Sequence, residues 1–253
     1  MRLVTWNVNS LKMRMPRVLE FVAEHAPDVL CLQETKSEPD AFPLAELAEA
    51  GYRAHQHSAG RWAGVAILAR DGLDFEPGAC GLPGERMPEE ARWCEATVAG
   101  LRVASTYVTN GRAIDTPTFD EKLAFLDAIL ARAEHLDVVM GDFNVTPADI
   151  DVYDPQAFVG STHVTPDERD RVQAILDAGF VDAYRVAHPD TQQFTWWDYR
   201  AGNFHKGLGL RIDLILLRAD LASRVTESGI FRDYRKGQKP SDHAPTYVDL
   251  RDS

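Results

Sequence analysis

Val138-Val139-Met140-Gly141-Asp142-Phe143-Asn144 is the stretch from which the rest of the chain can be read. Three apolar residues of strand type run into a glycine, and then an acid and an amide stand two apart. In an extended chain, side chains at i and i+2 point the same way, so Asp142 and Asn144 are expected to project together from the end of a buried strand. A carboxylate takes up a proton or binds a cation, and a carboxamide both donates and accepts. The two suit a water that must be held and activated. Taken alone, the same letters also describe an ordinary turn, where Gly, Asp and Asn are common for steric reasons. Four other segments repeat the arrangement. Leu3-Val4-Thr5-Trp6-Asn7 ends in an amide and Val29-Leu30-Cys31-Leu32-Gln33-Glu34 in an acid. Ile212-Asp213 opens an apolar run through Leu217, and Ser241-Asp242-His243 precedes a last strand from Ala244 to Leu250. Strand ends this rich in short oxygen-bearing side chains predict one converging site for a hard cation such as magnesium.

The chain has 253 residues, 45% of them apolar, enough to bury a sizeable core in a single domain over 1–253. Its three cysteines, Cys31, Cys80 and Cys94, form no CxxC pair and no even framework, which predicts reduced thiols in a cytoplasmic protein. Met1-Arg2 leads straight into a strand without a basic-then-apolar leader. No apolar run approaches the roughly 20 residues of a membrane span. The net charge of −12 argues at first against a polyanion partner, but it is unevenly spread. Residues 1–199 carry −15, residues 200–240 carry +5 and the remainder −2. A basic segment in an acidic chain is a footprint expected of nucleic-acid binding, although chance variation on a solvated surface produces the same number.

Strand and helix alternate. A helix with Val18, Leu19 and Val22 on one face, near Ser10 and Pro16, is closed by Pro27. Residues 40–50 read as helix, and Tyr52–His57 and Gly64–Ala69 as strands. Gly72–Glu90 reads as loop with short strand pieces. Arg92–Val98 and Leu101–Val108 form a hairpin about Ala99-Gly100. Thr116-Pro117 starts a helix whose inner face is assigned to Leu123, Leu126, Leu130 and Ala133. Thr165-Pro166-Asp167-Glu168 is a capping box opening a helix that buries Val172, Ile175 and Leu176, with Gly179 at its end. Residues 145–166 are irregular, and 182–209 are mostly an aromatic-rich loop.

Several residues admit two readings. Glu34 is a metal ligand or a turn glutamate, with Lys36 as its salt-bridge partner. His243, held between Pro240 and Pro245, acts on a phosphate oxygen or takes a proton if Asp213 orients it; alone, it reads as a surface histidine. Tyr107, Asn110 and Arg112 end a hairpin strand and suit phosphate contacts, or simply a strand cap and an Asn-Gly turn. Trp196, Leu210 and Ile212 line a small apolar pocket or belong to the core.

Taken together, the motifs resemble the exonuclease III family of abasic-site (AP) endonucleases, within the endonuclease/exonuclease/phosphatase superfamily. The matching pieces are Thr5-Trp6-Asn7-Val8-Asn9, Leu32-Gln33-Glu34-Thr35-Lys36, Tyr107 to Asn110, Gly141-Asp142-Phe143-Asn144, Gly209-Leu210-Arg211-Ile212-Asp213 and Ser241-Asp242-His243-Ala244-Pro245. They appear in family order over almost the whole chain. The resemblance implies an α/β (α+β) four-layer sandwich, two packed mixed β-sheets flanked by helices. It implies a magnesium-dependent DNA-repair nuclease, with manganese as a substitute, that cuts double-stranded DNA 5′ to abasic sites and trims blocked 3′ ends, working as a monomer.

The resemblance also implies roles. Glu34 binds the metal, with Asn7 close by, and Asp142, positioned by Asn144, activates water. His243, paired with Asp213, stabilises phosphate charge beside Tyr107, and Asp242 stands in an outer metal position; Asp142, Asn144 and His243 belong to the same metal neighbourhood. Lys36, Asn110, Arg112, Trp196, Leu210, Arg211 and Ile212 contact DNA. Whether Asp142 or the Asp213–His243 pair is the base stays open. Thr109 stands where many relatives have proline and Leu210 where some have tryptophan, which bears on the balance of incision and exonuclease activity. Two other functions are compatible with the superfamily: a phosphatase or phospholipase, and a non-catalytic nucleic-acid-binding regulator.

Overall fold

The computed structural model describes residues 1–251. In order come β1 (Arg2–Asn7), α1 (Leu11–His25), β2 (Val29–Gln33), α2 (Leu44–Glu49), β3 (Tyr52–His57), β4 (Val65–Arg70), β5 (Phe75–Cys80), β6 (Trp93–Val98) and β7 (Leu101–Tyr107). Then follow α3 (Pro117–Ala133), β8 (Val138–Asp142), α4 (Pro166–Asp177), β9 (Phe180–Asp182), α5 (Ala183–Ala187), α6 (Asn203–Lys206), β10 (Asp213–Arg218), β11 (Val225–Ile230) and β12 (Thr246–Leu250). The caps read from sequence are in place. The Thr116 hydroxyl accepts from the Phe119 N–H, and Thr165 and Glu168 satisfy each other's backbone N–H groups in a capping box. The β6–β7 hairpin turns at Ala99 and Gly100, both at positive φ, as a tight two-residue loop requires.

The strands form two six-stranded sheets, ordered β11-β12-β1-β2-β4-β3 and β5-β6-β7-β8-β10-β9. β1–β2 and β7–β8 are parallel pairs, each joined by a crossing helix (α1 and α3), and the other named pairs are antiparallel. The sheets face each other across an apolar layer that includes Leu3, Val29, Val103, Val138 and Leu217. α1 covers the outer face of the first sheet, where Phe21 meets Trp6 and Leu30. α3 and α4 cover the outer face of the second. This is the four-layer sandwich, and the alternation of strand side chains builds it.

The inner faces of five central strands change character in one direction. β1 presents Leu3, Thr5 and Asn7; β2 presents Val29, Cys31 and Gln33; β7 presents Val103, Ser105 and Tyr107. β8 presents Val138, Met140 and Asp142, and β10, running oppositely, presents Leu217, Ile215 and Asp213. Gln33 accepts from the Thr5 hydroxyl (3.2 Å) and donates to Ser105 (3.1 Å), joining the two sheets where the layer turns polar.

Three local expectations are corrected. The inner stripe of α3 is Phe119, Lys122, Leu126, Ile129 and Ala133, with Leu123 and Leu130 only half-buried at its margins. Leu19 and Leu176 are likewise marginal on α1 and α4. Residues 182–209 contain the short helices α5 and α6 within the expected loop.

Candidate active site

The polar strand ends meet as the strand pairing demands. Asp142 stands opposite both Asp213 and Tyr107 in register, so three strands of one sheet deliver an acid, an acid and a phenol to one edge. Asn7 lies opposite Gln33, which brings Glu34 beside it from the other sheet. Gly141 makes this possible: a Cβ there would sit 1.9 Å from the Thr106 carbonyl oxygen.

Asp142 and Asn144 do come together, but by a turn rather than by strand alternation. β8 ends at Asp142, and Asn144 adopts a left-handed φ of 52°. Its backbone N–H donates to Asp142 Oδ1 (2.9 Å). Its carboxamide donates to Val108 O (2.9 Å) and its Oδ1 accepts from Asn110 (3.4 Å). Asn144 thus reaches the carboxylate through its main chain.

The Asn7 carboxamide nitrogen donates to Glu34 Oε1 (2.8 Å) and to Asp142 Oδ2 (2.9 Å), while its oxygen accepts from the Asn9 N–H (3.0 Å). It joins the carboxylates as a donor and does not turn its oxygen to them. Glu34 also pairs with Lys36 (2.8 Å), whose ammonium donates to Asn9 (2.7 Å). Asp242 accepts from Asn9 (3.0 Å) and from the Trp196 indole (3.0 Å).

His243 Nδ1 donates to Asp213 Oδ2 at 2.8 Å, and Nε2 lies 3.7 Å from Asp142 Oδ2. Burial works to lower the imidazole, but Asp213 and then Asp142 outweigh it and hold it up at about 10. This favours the protonated form, which has no free lone pair, so Glu34 and Asp142 are the stronger candidates to hold a cation. Burial pushes the Asp142 carboxyl up to about 7, with the His243 charge pulling against it. Burial, and then the neighbouring Glu34 carboxylate, keep the Tyr107 phenol protonated, well above its ordinary value.

Glu34, Tyr107, Asp142, Asn144, Asp242 and His243 line a recess of about 170 Å³ with Asn110, Trp196 and Ile212. Single ligand atoms of Glu34, Asp142 and His243 fall within 4.8 Å of one another. Beside His243, the carboxylates of Glu34 and Asp142 form a hard oxygen donor set that fits a divalent cation.

The DNA-contact residues divide. Trp196 and Ile212 line the recess; Leu210 packs behind them against Val152 and is 1% exposed. Arg112 is exposed and its N–H caps Asn110 (3.1 Å). Arg211 does not face solvent. Its fully buried guanidinium pairs with Asp151 (2.6 Å) and Asp182 (2.7 Å), so it anchors the loop before β10 and cannot touch DNA. The basic segment is thinned rather than removed: Arg211 and Arg235 are buried, while Arg200, Lys206, Arg232, Lys236 and Lys239 are exposed. Arg235 is buried against the carbonyls of Asp242 and Trp197. Arg218 stands five residues up β10 from Asp213, about 16 Å from the site edge at about 3.3 Å per residue.

The sequence reading missed His163. It lines the same recess with a φ of 82°. Nδ1 bonds to Asn144 O (2.6 Å) and Nε2 faces the Asn110 amide (3.3 Å). Burial, then Lys122, lowers it to about 4, so it is neutral. It lies in an irregular stretch with no period to flag it. Thr195, whose hydroxyl accepts from the N–H groups of Ile212 and Asp213 (both 3.1 Å), was equally silent. Lys122 was not silent, since it interrupts an apolar stripe at helical spacing.

The profile of the Endonuclease/Exonuclease/phosphatase family matches residues 4–243. Exodeoxyribonuclease III of Haemophilus influenzae is 31% identical over 99% of this chain and 100% of its own. The structure of an AP endonuclease from Archaeoglobus fulgidus superposes with a TM-score of 0.95 at 34% identity, covering 100% of both chains. The Neisseria enzyme NExo is similar in two structures, each covering 99% of both chains. One is a 3′-5′ exonuclease from Neisseria meningitidis (TM-score 0.92, 37% identity) and the other a 3′ phosphatase bound to product DNA hairpin (0.91, 36%). With two mixed sheets delivering acids, amides and an imidazole to one edge, the chain belongs to this family and, within it, to the exonuclease III and AP endonuclease branch of hydrolytic nucleases.

Proposed function

We propose that the chain is a DNA-repair nuclease that hydrolyses phosphodiesters 5′ to abasic sites, leaving a 3′-hydroxyl, and that trims 3′ ends of duplex DNA. The observation that carries this is the Asp142 carboxyl, buried, raised to about 7 and steered by two N–H donors beside the Asp213–His243 pair. A carboxylate whose pKa lies near the working pH accepts a water proton efficiently. Held by Glu34, a magnesium ion, or manganese in its place, would neutralise phosphate charge and lower the pKa of water, leaving the neighbouring Asp142 carboxylate to take the proton. The His243 imidazolium supplies a fixed positive charge for the oxygens that gain charge in the transition state, and Asp213 keeps its proton in place. Because His243 is already protonated, Asp142 is the better base. Tyr107 and Asn110 offer N–H and O–H donors to the same phosphate. Asp242 belongs to the outer wall, and Lys36 and Arg112 to the rim that meets the DNA backbone. Trp196 and Ile212 face an extruded sugar that has no base edge to satisfy. The enzyme works as a cytoplasmic monomer on double-stranded DNA. The phosphatase or phospholipase reading and the non-catalytic reading lose ground because the relatives are nucleases and every polar group of the site is present.

Two labelled duplexes test this, one with a single abasic site and one undamaged with a recessed 3′ end, each with EDTA and with added magnesium. Magnesium-dependent incision at the abasic site is the expected result; an intact first duplex would sink the incision reading.

A second reading makes 3′-end processing the main activity, and His163 favours it. Its imidazole shares the recess wall with Trp196 and Ile212, so it takes volume from an internal flipped sugar. A 3′ end reaches the site without full extrusion. The same assay separates the two readings: rapid trimming with negligible incision supports the second.

A further inference from the structure

Beneath the recess, between α3 and α4, lies an ion pair with no part in the chemistry above. The Lys122 and Glu168 side chains are both 0% exposed and in direct contact. Burying two charges is costly unless their remaining hydrogen bonds are met, and here those bonds lead to the site. The Lys122 ammonium lies 2.7 Å from Asn144 O, 3.2 Å from Asn110 O and 2.9 Å from the Thr162 hydroxyl. Glu168 accepts from the Thr162 hydroxyl (2.8 Å) and from the His163 N–H (2.9 Å). Three loops therefore converge on one charge pair: those carrying Asn110, Asn144 and His163.

Each loop is held in a conformation that side chains resist. Asn144 and His163 have φ of 52° and 82°, and Gly111 has 81°. Gly111 packs so closely that an added Cβ would lie 2.9 Å from the Lys122 side chain. Asn144 is the link that matters. Lys122 holds its carbonyl from below, and the N–H of the same residue aims at Asp142 Oδ1 (2.9 Å). An apolar residue at 122 would take this donor from both carbonyls, leaving Asn144 O to His163 Nδ1 and Asn110 O to the Thr162 hydroxyl.

We propose that Lys122 and Glu168 are positioning residues: through the backbone of Asn144 and Asn110 they set the orientation of the Asp142 carboxylate and of the Asn110 amide. This rests on Asp142 having the role given above. It goes further in assigning a catalytic consequence to a pair that otherwise reads as core.

The test compares wild type with Lys122→Met, Glu168→Leu and the double variant, by thermal melting and by single-turnover cleavage at 20 °C. Each single variant leaves an unpaired buried charge and melts lower. The double variant removes both charges and recovers part of that loss, the N–H groups of His163 and Thr165 still lacking their Glu168 acceptor. Its kcat should nonetheless stay about 30-fold below wild type, with KM for DNA changed less than about threefold, the pattern of a misplaced group. A folded double variant with wild-type kcat overturns the proposal. If the double variant does not fold, Thr162 decides: Thr162→Val should lower kcat and Thr162→Ser restore it, and equal kcat in both overturns the proposal. A wild type that cleaves neither duplex would instead defeat the nuclease reading, and the two failures stay distinct.

Discussion

At one end of the layer between the sheets, five strands present Leu3, Val29, Val103, Val138 and Leu217; at the other end the same strands present Asn7, Gln33, Tyr107, Asp142 and Asp213. The backbone ladder is common to both ends, so only the side chains differ. The apolar end gains by leaving water. The polar end holds groups in states they resist: a carboxyl raised by burial, an imidazole that keeps its proton, and Glu34, Lys36, Asn144 and His163 at left-handed φ. Such strain persists only where surrounding structure over-determines it. The difference teaches that one end specifies the sandwich while the other draws on its stability to fix a geometry.

The largest test of that division is Asp142→Asn. It should lower cleavage by about a thousandfold or more with only a modest fall in Tm, because the amide keeps the shape of the carboxyl but turns its NH2 toward one of the two N–H donors. Melting curves and single-turnover rates on the abasic and recessed duplexes check this together, and near-normal turnover would remove Asp142 from the chemistry. Glu34→Gln comes next. It should cost roughly 10- to 100-fold and raise the magnesium concentration needed for half-maximal rate; an unchanged magnesium titration would exclude Glu34 as a metal ligand. At the opposite end, Leu217→Ala should destabilise by about 2–5 kcal/mol and leave kcat at 20 °C within about twofold. A large fall in kcat there, in folded protein, would show that the two ends are not separable.

The smallest effect is on pH. His243 is held up from 6.5 to about 10, so the stability it gains from its partners is fully present below pH 6.5 and is lost as pH rises through 10. The gap in Tm between wild type and Asp213→Asn should be widest near pH 6, a few degrees, and should narrow toward pH 10. A gap independent of pH would rule out the imidazolium–carboxylate pair.

The sequence carried the elements well because their signals are local. The capping box at Thr165, the hairpin at Ala99-Gly100 and the apolar run into Asp142 each depend on a few neighbouring residues. The convergence of Asn7, Glu34, Asp142, Asp213 and His243 was legible because each sits at a strand end. What failed depended on three-dimensional surroundings. Arg211 reads as a DNA contact until Asp151 and Asp182 are seen to enclose it, 60 and 29 positions away. The +5 of residues 200–240 is weakened, not cancelled, by the burial of Arg211 and Arg235, since Arg200, Lys206, Arg232, Lys236 and Lys239 stay exposed. Lys122 left the clearest trace, a charge at an apolar helical position, and its partner Glu168 was already visible as a cap.

β1 is the first strand in order, yet it lies inside its sheet, bonded to β12 along one edge and to β2 along the other. The Ser241 hydroxyl, just before β12, donates to Asn7 O (2.7 Å). A ribosome delivers these partners 234 residues apart. Until residues 241–250 emerge, β1 keeps a bare edge and the site lacks its imidazole. Partly made chains should therefore be unable to cut the DNA of the cell that is making them. Protease resistance and cleavage should appear in the same step when stalled chains are lengthened through this segment; activity in a chain stalled before Asp242 would refute that timing.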